Sequence, residues 1–334
     1  MAVRDGEAFL ADALESVVAQ TFEDLEAIVV DDGSTDRTPE ILDDYARRDG
    51  RLRVMRVPGN GVARARNLGC NAAQGRYLAI LDSDDVALPE RLNIQVPFLD
   101  ARPDVAVVGG AGIFIDEQGV EIGRAAYPSD EAEVEAVLES GRVPLIHSAA
   151  TVRAEIFHRT SGYRPALELA QDYDLWLRIA PLGRITSPPD PVVRYRIHAR
   201  QASTRNFEKT ARSARAALAA ARARRKGESD PLDDAESVDG MLLEALGVGT
   251  PEIAAHEIDY ALWLARTLAR GGHHDQAGPL FSLCVARAGD TENPRETRIR
   301  ILRARAEASY LQRRPLHAAG FRLRAAALER RGQW

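Results

Sequence analysis

The sequence predicts an α/β domain with a mostly parallel sheet flanked by helices, followed by an all-α C-terminal region with helical hairpins. Three observations predict it. Short apolar runs alternate with segments of helical spacing through the first half. Two of those runs stop abruptly at acidic residues, as buried strands do when they open onto a ligand-binding rim. Beyond about Phe207 the texture turns alanine- and arginine-rich, and from Pro251 on only helical patterns remain.

The elements follow in order. "EAFLADALESVVAQ", Glu7 to Gln20, sets Phe9, Leu10, Ala13, Leu14, Val17 and Val18 at helical spacing. "LEAIVV", Leu25 to Val30, is β-branched, stops at Asp31 and reads as a buried parallel strand. In "TPEILDDYARR", Thr38 is the expected N-cap and Pro39 the first helical residue. "LRVMRV" is a second strand. "GVARARNLGCNAAQG" is a small-residue helix with Gly75 as its expected C-cap. "YLAIL", Tyr77 to Leu81, is a strand that runs into Asp82, Asp84 and Asp85, and "LPERL" begins a helix near Pro89. "DVAVVGGAGIFID" supplies more strand. "SDEAEVEAVLES" is a helix capped by Ser129 or Asp130, and "DYDLWLRIA" is another helix.

"EKTARSARAALAAARARRKG" is helical by propensity, and "ESDPLDDAESVDG" has the composition of a linker. The two long segments after Pro251 each hold two helices around a short polar break. Their "A-x-x-L-A-x-G-x-x-x-x-A" texture is similar to helical-hairpin repeats of the tetratricopeptide type. The expected division is residues 1–206 as the α/β domain, 207–250 as helix and linker, and 251–334 as a helical domain.

Composition narrows the function. Hydrophobic residues make up 45% of the 334, enough for a real core. The net charge of −6 gives no overall basic footprint for nucleic acid. Cys70 and Cys284 are the only cysteines, which excludes a disulfide framework and a cysteine-based zinc site and fits a reducing, cytoplasmic setting. No run approaches a spanning helix and no signal peptide opens the chain, so the expectation is a soluble protein, or one peripheral to a membrane.

Ligands of open α/β sheets bind beyond the carboxyl ends of the strands. Two such ends carry acids: "VVDDGSTD", with Asp31, Asp32 and Asp36, and "LDSDD", with Asp82, Asp84 and Asp85. The first has the composition of a strand-to-helix turn, so turn and ligand site both stay open. The second sets three like charges at the end of a buried strand, where they repel. An Asp-x-Asp pair suits Mg²⁺ or Mn²⁺, which keep phosphate oxygens as further ligands. Such an ion would relieve the repulsion and point to a diphosphate substrate.

"LEAIVVDDGSTDRTPEIL", "GVARARNLGCNAAQGRYLAILDSDD" and "QDYDLWLRIA", in this order and spacing, resemble glycosyltransferase family 2, inverting enzymes of the GT-A fold. The resemblance covers about residues 1 to 205. It implies that Asp32 accepts from the nucleotide base, Asp82 faces the ribose, and Asp84 coordinates Mn²⁺ or Mg²⁺ on the diphosphate. It sets Arg66, Asn67 and Ser83 on the nucleotide-sugar side. Asp172 matches the general base of the family's Glu-Asp motif, with Gln171 in place of the Glu. "VVRYRIHARQAST" resembles a segment that puts Arg196 near the phosphates and makes His198 a further metal ligand. His147 matches a position near the acceptor, and Trp176 is core or a stacking platform for sugar.

One departure concerns the first strand. Family members usually begin with a central strand before "GEAFL" whose end touches the nucleotide base; here only Ala2, Val3, Arg4 and Asp5 remain of it, with Ala2 in the Pro position and Arg4 in the Tyr position, both on the nucleotide-sugar side by the resemblance. The expectation is a natural start upstream of Met1; the alternative is a chain lacking that strand, with backbone groups on its neighbours left without partners.

The resemblance thus implies transfer of a sugar from a nucleotide-sugar, UDP-linked first, to a glycan or lipid-linked acceptor. It also implies a setting in the cytoplasm or at the inner membrane face. The arginine-rich helix after Phe207, which lies beyond the resemblance, reads as a solvated face or as a contact for anionic lipid or a partner. Two competitors are weighed against it. A degenerate, non-catalytic binding protein acting through its helical tail would not need to keep Asp32, Asp82, Asp84 and Asp172. A nucleotidyltransferase would want a glycine-rich basic loop after its first strand, which "MAVRDGEAFL" does not supply.

Overall fold

The computed structural model describes residues 1–312 and 314–330. The chain opens with β1 (Ala2–Val3), α1 (Leu10–Val18), β2 (Ala27–Asp31), α2 (Thr38–Arg48), β3 (Leu52–Arg56) and α3 (Val62–Ala72). β4 (Tyr77–Ala79), β5 (Val86–Ala87), α4 (Arg91–Asp100), β6 (Val105–Val108), β7 (Ala111–Ile115) and β8 (Glu121–Ala125) follow. Next come α5 (Glu131–Glu139), β9 (Thr151–Arg153), α6 (Ala154–Arg159), α7 (Gln171–Ile179), β10 (Arg184–Thr186) and β11 (Pro191–Arg196). The rest is helical: α8 (Ala202–Arg205), α9 (Phe207–Arg225), α10 (Gly240–Ala245), α11 (Thr250–Arg270), α12 (His274–Arg287), α13 (Pro294–Leu311) and α14 (Pro315–Arg330).

The α/β architecture expected from the alternation is the one found. The strands pair in three sheets, ordered β1-β2-β3, β10-β6-β9-β4 and β5-β11-β7-β8. β1, β2 and β3 are parallel, as are β10 with β6 and β11 with β7. β9 runs antiparallel to both β6 and β4, and β5 antiparallel to β11. The short first strand keeps a ladder of two residues, with Ala2 opposite Val30 and Val3 opposite Asp31. The facing groups on β2 are not left bare: the N–H groups of Val30 and Asp32 donate to the carbonyls of Met1 and Val3. The Met1 amino group donates to Ile28 O at 2.9 Å, and burial lowers its pKa. β1 and β4 are each an edge of their own sheet.

Helix ends differ from expectation where a side chain has a stronger use elsewhere. Thr38 is already helical, and its Oγ1 accepts from the Gly6 N–H instead of capping α2. α3 stops at Ala72, ahead of Gly75, because Ala73 turns extended. Of the two candidate caps of α5, Asp130 is the one used, accepting from the N–H groups of Ala132 and Glu133.

Two apolar layers position the rim where strands β2, β4 and β11 end. On one side α7 packs with α9, whose Ala211, Ala214, Ala217, Leu218 and Ala221 are buried; alanine lets the two helix backbones approach closely. The segment of linker composition is docked: Leu232 is buried, and Asp230 takes Arg164 and Arg224. On the other side α11 buries Ile258, Leu262, Leu264 and Leu268 in one cluster with Phe114, Ile122, Ile146 and Val193 of the sheet region. Gly271, at the end of α11, has room for no side chain: a Cβ there would lie 2.4 Å from the Cβ of Ile122 on β8. Sheet and helical tail therefore share a core.

Candidate active site

The rim begins at the end of β2. Asp31 Oδ1 accepts from the Ser34 N–H at 3.0 Å, the turn chemistry that "DDGSTD" predicts. Asp32 is buried and bonded through both oxygens. Oδ1 accepts from the Asn60 N–H at 2.7 Å and Oδ2 from the Gly61 N–H at 3.0 Å, at the start of α3. A carboxylate has further lone pairs, so these bonds leave acceptor capacity for a base edge. Asp5 ties the first turn to this loop by accepting from the Thr35 N–H at 2.7 Å. Arg4 stays exposed beside Gly59 and Asp5, while Ala2 sits in the two-residue ladder.

The three acids after β4 have separate partners. Asp82 Oδ1 accepts from Arg66 at 2.7 Å, and its Oδ2 lies 2.9 Å from His147 Nδ1. Burial opposes its charge, yet Arg66 and His147 hold its carboxyl well below the usual carboxylate range. Asp84 Oδ2 lies 2.9 Å from His198 Nε2. His198 Nδ1 accepts from the Arg200 N–H at 3.2 Å, so the neutral ring carries its proton on Nε2 and donates to Asp84. Asp85 points inward and is almost fully buried; Oδ1 accepts from the Arg196 N–H at 2.7 Å, while Oδ2 has no partner among the described residues. Burial first, then the Asp84 and Asp82 charges, push its carboxyl well above the usual range. Ser83, between them, is half-buried near Gly6.

Protein cations already sit among these acids, which revises the expectation that a metal must supply the missing charge. Arg66 pairs with Asp82. The Arg91 charge acts on buried Asp85 while its guanidinium donates to Gln95 Oε1, Ile80 O and Ala150 O. Arg196 is buried and committed to the protein: it donates to the carbonyls of Asp84, Asp116 and Glu117 and pairs with Asp12 at 2.8 Å. In this structure Arg196 braces the loop that carries Asp84 instead of reaching into the rim.

The third wall is the start of α7. Gln171 is buried; its Oε1 accepts from Arg66 at 3.0 Å, and its Nε2 donates to Leu167 O and Glu168 O. A glutamate there could accept from Arg66 but would turn an acceptor toward two carbonyls, which gives the amide a physical reason. Asp172 is half-buried, and its carboxylate accepts no hydrogen bond among the described residues. The charges of Asp172 and Arg66 act on one another. Arg66 thus joins the Asp82 loop to the helix of Asp172. Asn67 staples the chain before α7, donating to Tyr163 O and accepting from the Tyr163 N–H. Gly162 permits that approach: at φ +72°, its Cβ would fall 2.4 Å from Asn67 Oδ1. Trp176 is fully buried in the core, so no face of its ring is open to a sugar.

Sequence reasoning missed two residues of this network. Tyr163 bonds His147 Nε2 through its hydroxyl at 2.9 Å, and Arg91 lies beneath the acids. "SGYRP" is a turn signal that marks neither partner, and "LPERL" does not say which face of its helix Arg91 occupies.

Among the described residues, no group of three or more His, Cys, Asp and Glu side chains is poised around a metal position. Asp84 offers a carboxylate to a divalent ion that takes the rest of its shell from water and phosphate. His198 Nε2 carries its proton here, so the ring joins that donor set only by releasing the Arg200 N–H and moving the proton to Nδ1.

Residues 1–159 match the family model described as Glycosyl transferase family 2. The match covers just under half of the 334 residues, and the likeness to that family is one of this segment. An uncharacterized glycosyltransferase of Haemophilus influenzae is 26% identical to this chain over 209 residues, 60% of this chain and 65% of the relative. The putative glycosyltransferase EpsE of Bacillus subtilis is 33% identical over 182 residues, 53% of this chain and 64% of the relative. The chain thus spans less than two thirds of the length of these curated relatives. Among solved structures, S. aureus TarS 1-349 in complex with UDP-GlcNAc superposes with TM-score 0.56 at 16% identity, covering 96% of this chain and 90% of that one. The mannosyltransferase PcManGT of Pyrobaculum calidifontis, in complex with GDP-Man and Mn²⁺, gives TM-score 0.51 at 18% identity, covering 98% and 84%. At these identities the likeness is one of fold, and it extends through the helical tail.

Proposed function

We propose that the chain is a metal-dependent inverting glycosyltransferase that moves a sugar from a nucleotide-sugar to an acceptor hydroxyl of a glycan or lipid-linked molecule. The observation that carries this reading is the Arg66 bridge, which sets an unbonded carboxylate, Asp172, across from the strand-end acids Asp82 and Asp84. Asp32 and Asp82 would take the nucleoside, and Asp84, joined by His198 once its proton has moved to Nδ1, would hold Mn²⁺ or Mg²⁺. The ion, when bound, stabilises charge on the departing diphosphate. Asp172 accepts the proton of the acceptor hydroxyl, and that oxygen bonds the anomeric carbon as the bond to the diphosphate oxygen breaks on the opposite face. One displacement inverts the centre. In this reading residues 1–206 are the transferase unit, and the helices after it buttress α7 and the sheet.

The test is nucleotide release from UDP- and GDP-sugars, the bases held by the two fold neighbours, with and without Mn²⁺. Asp172→Asn is expected to lower kcat by about 10²- to 10⁴-fold. It should leave intact the rise in melting temperature that UDP with Mn²⁺ produces by binding the native state. Full transfer by Asp172→Asn, with Asp84→Asn inactive, would show the base to be another group.

A further inference from the structure

The arginine-rich segment that the sequence marks for lipid contact is α9, and the fold spends that helix elsewhere. Its alanine face is buried, Arg222 and Arg225 pair with Glu139, and Arg224 pairs with Asp230. The free basic surface is at the end of the chain. Residues 294–334 hold eleven arginines against three glutamates, a net +8; since the whole chain carries −6, residues 1–293 carry −14.

α14 has two apolar faces. Ala318 and Ala325, seven residues apart and so on one side of the helix, are buried, and Phe321 lies under Arg305 of α13. Leu316 and Leu323, also seven apart, lie on the opposite side and are 87% and 65% exposed. Ala319 and Ala327 continue that exposed face. Tyr310 and Leu311 extend it onto the end of α13, with 65% and 45% exposure. These four account for half of the eight exposed large hydrophobic side chains among the described residues. Arg322 and Arg324 flank the ridge and Arg314 precedes it; all three are exposed, and none forms an ion pair with a described residue. Next to them, His274, Leu311, Gln312 and Arg314 line an open pocket of about 350 Å³, where His274 Nδ1 is buried without a partner among the described residues.

We propose that the outer face of α14 docks on an anionic lipid bilayer, with Leu316 and Leu323 entering the headgroup boundary and Arg314, Arg322 and Arg324 meeting lipid phosphates. Exposed leucines between arginines are the pattern of an interfacial helix. No described helix is long and apolar enough to cross a membrane, so the contact is lateral. Nucleic acid would use the arginines and leave the leucines in water. A second copy of this face would set Arg314, Arg322 and Arg324 against the same three arginines.

The experiment is flotation of the full chain with vesicles of phosphatidylcholine alone, or with about 30 mol% phosphatidylglycerol. It uses neither donor nor acceptor, so its outcome is independent of the transfer reading. Binding is expected only to the anionic vesicles. Leu316→Glu with Leu323→Glu should weaken it at least about tenfold, and Arg322→Gln with Arg324→Gln about 20- to 30-fold. Met241→Glu, exposed at another surface, should leave it unchanged, and all variants should melt with the parent. No binding, equal binding to neutral vesicles, unaltered binding by the leucine variant, or self-association that the same leucine changes abolish would each overturn the proposal.

Discussion

Arg66 and Arg303 each hold a carboxylate, Asp82 at 2.7 Å and Glu329 at 2.6 Å, but in different surroundings. The Arg66 side chain is 20% exposed and serves three groups: Asp82, Gln171 and the ring of Tyr163. The Arg303 side chain, on α13, is 65% exposed and mostly meets water. At the rim, Asp82, Asp85, Arg66 and Arg196 are held by partners that depend on them, and removing one strands another. In the tail, stability comes from alanine and leucine packing, and the outer arginines are free for solvent or a partner. A surface pair contributes roughly 0–1 kcal/mol, whereas breaking a buried one costs several.

The sharpest way to break this comparison is to make the same change in both regions. Arg66→Met leaves Asp82 with His147 alone and strips Gln171 Oε1 of its donor. We expect a loss of about 4 kcal/mol in unfolding free energy. Arg303→Met should cost under about 1 kcal/mol. Urea midpoints of the two variants measure the difference, and equal losses would erase the distinction.

The contrast also explains what could be read before folding. Strand ends at Asp31, the Asp130 cap and the four tail helices rest on neighbours within one or two turns, so local pattern carries them. The partner of Asp85 is a backbone N–H 111 residues away, and Gln171 meets Arg66 across 105. No local pattern encodes such pairings. "DSDD" could be marked as an electrostatic problem, but not that Arg66, Arg91 and Arg196 were its answer. Arg196 was read as reaching a ligand, and Trp176 as core or sugar platform, because a lone sequence position does not show burial. The helical hairpins were legible as helices, while the shared core with β8 depends on Gly271 meeting Ile122.

That shared core yields the next test. Leu262 is 2% exposed where α11 meets the sheet. Leu262→Ala should cost about 3 kcal/mol through lost burial and the cavity left behind. If tail and sheet are one cooperative unit, circular dichroism and tryptophan fluorescence should still report one transition, shifted together. Two separated transitions, with only the first displaced, would show that the tail unfolds on its own.

A smaller effect than that of Leu262→Ala probes the same junction by acid. His256, on α11, faces Gly141 and the Arg215 guanidinium, with Asp259 on its own helix. Burial first, then the Arg215 charge, lowers its pKa from 6.5 to about 4, against a weaker pull upward from Asp259. Between those values the unfolded chain binds a proton there that the folded chain does not. The unfolded state therefore gains as pH falls, and stability drops from about pH 6.5 toward 4. Allowing for residual solvent contact, the loss is on the order of 2 kcal/mol. His256→Gln removes this one proton and leaves every carboxylate in place. The stability difference between parent and variant should slope across that window and be flat above pH 7. Parallel curves down to pH 4 would mean that the imidazole stays in water, and that α11 is less tightly seated on α5 and α9 than the sheet-facing side of the same helix.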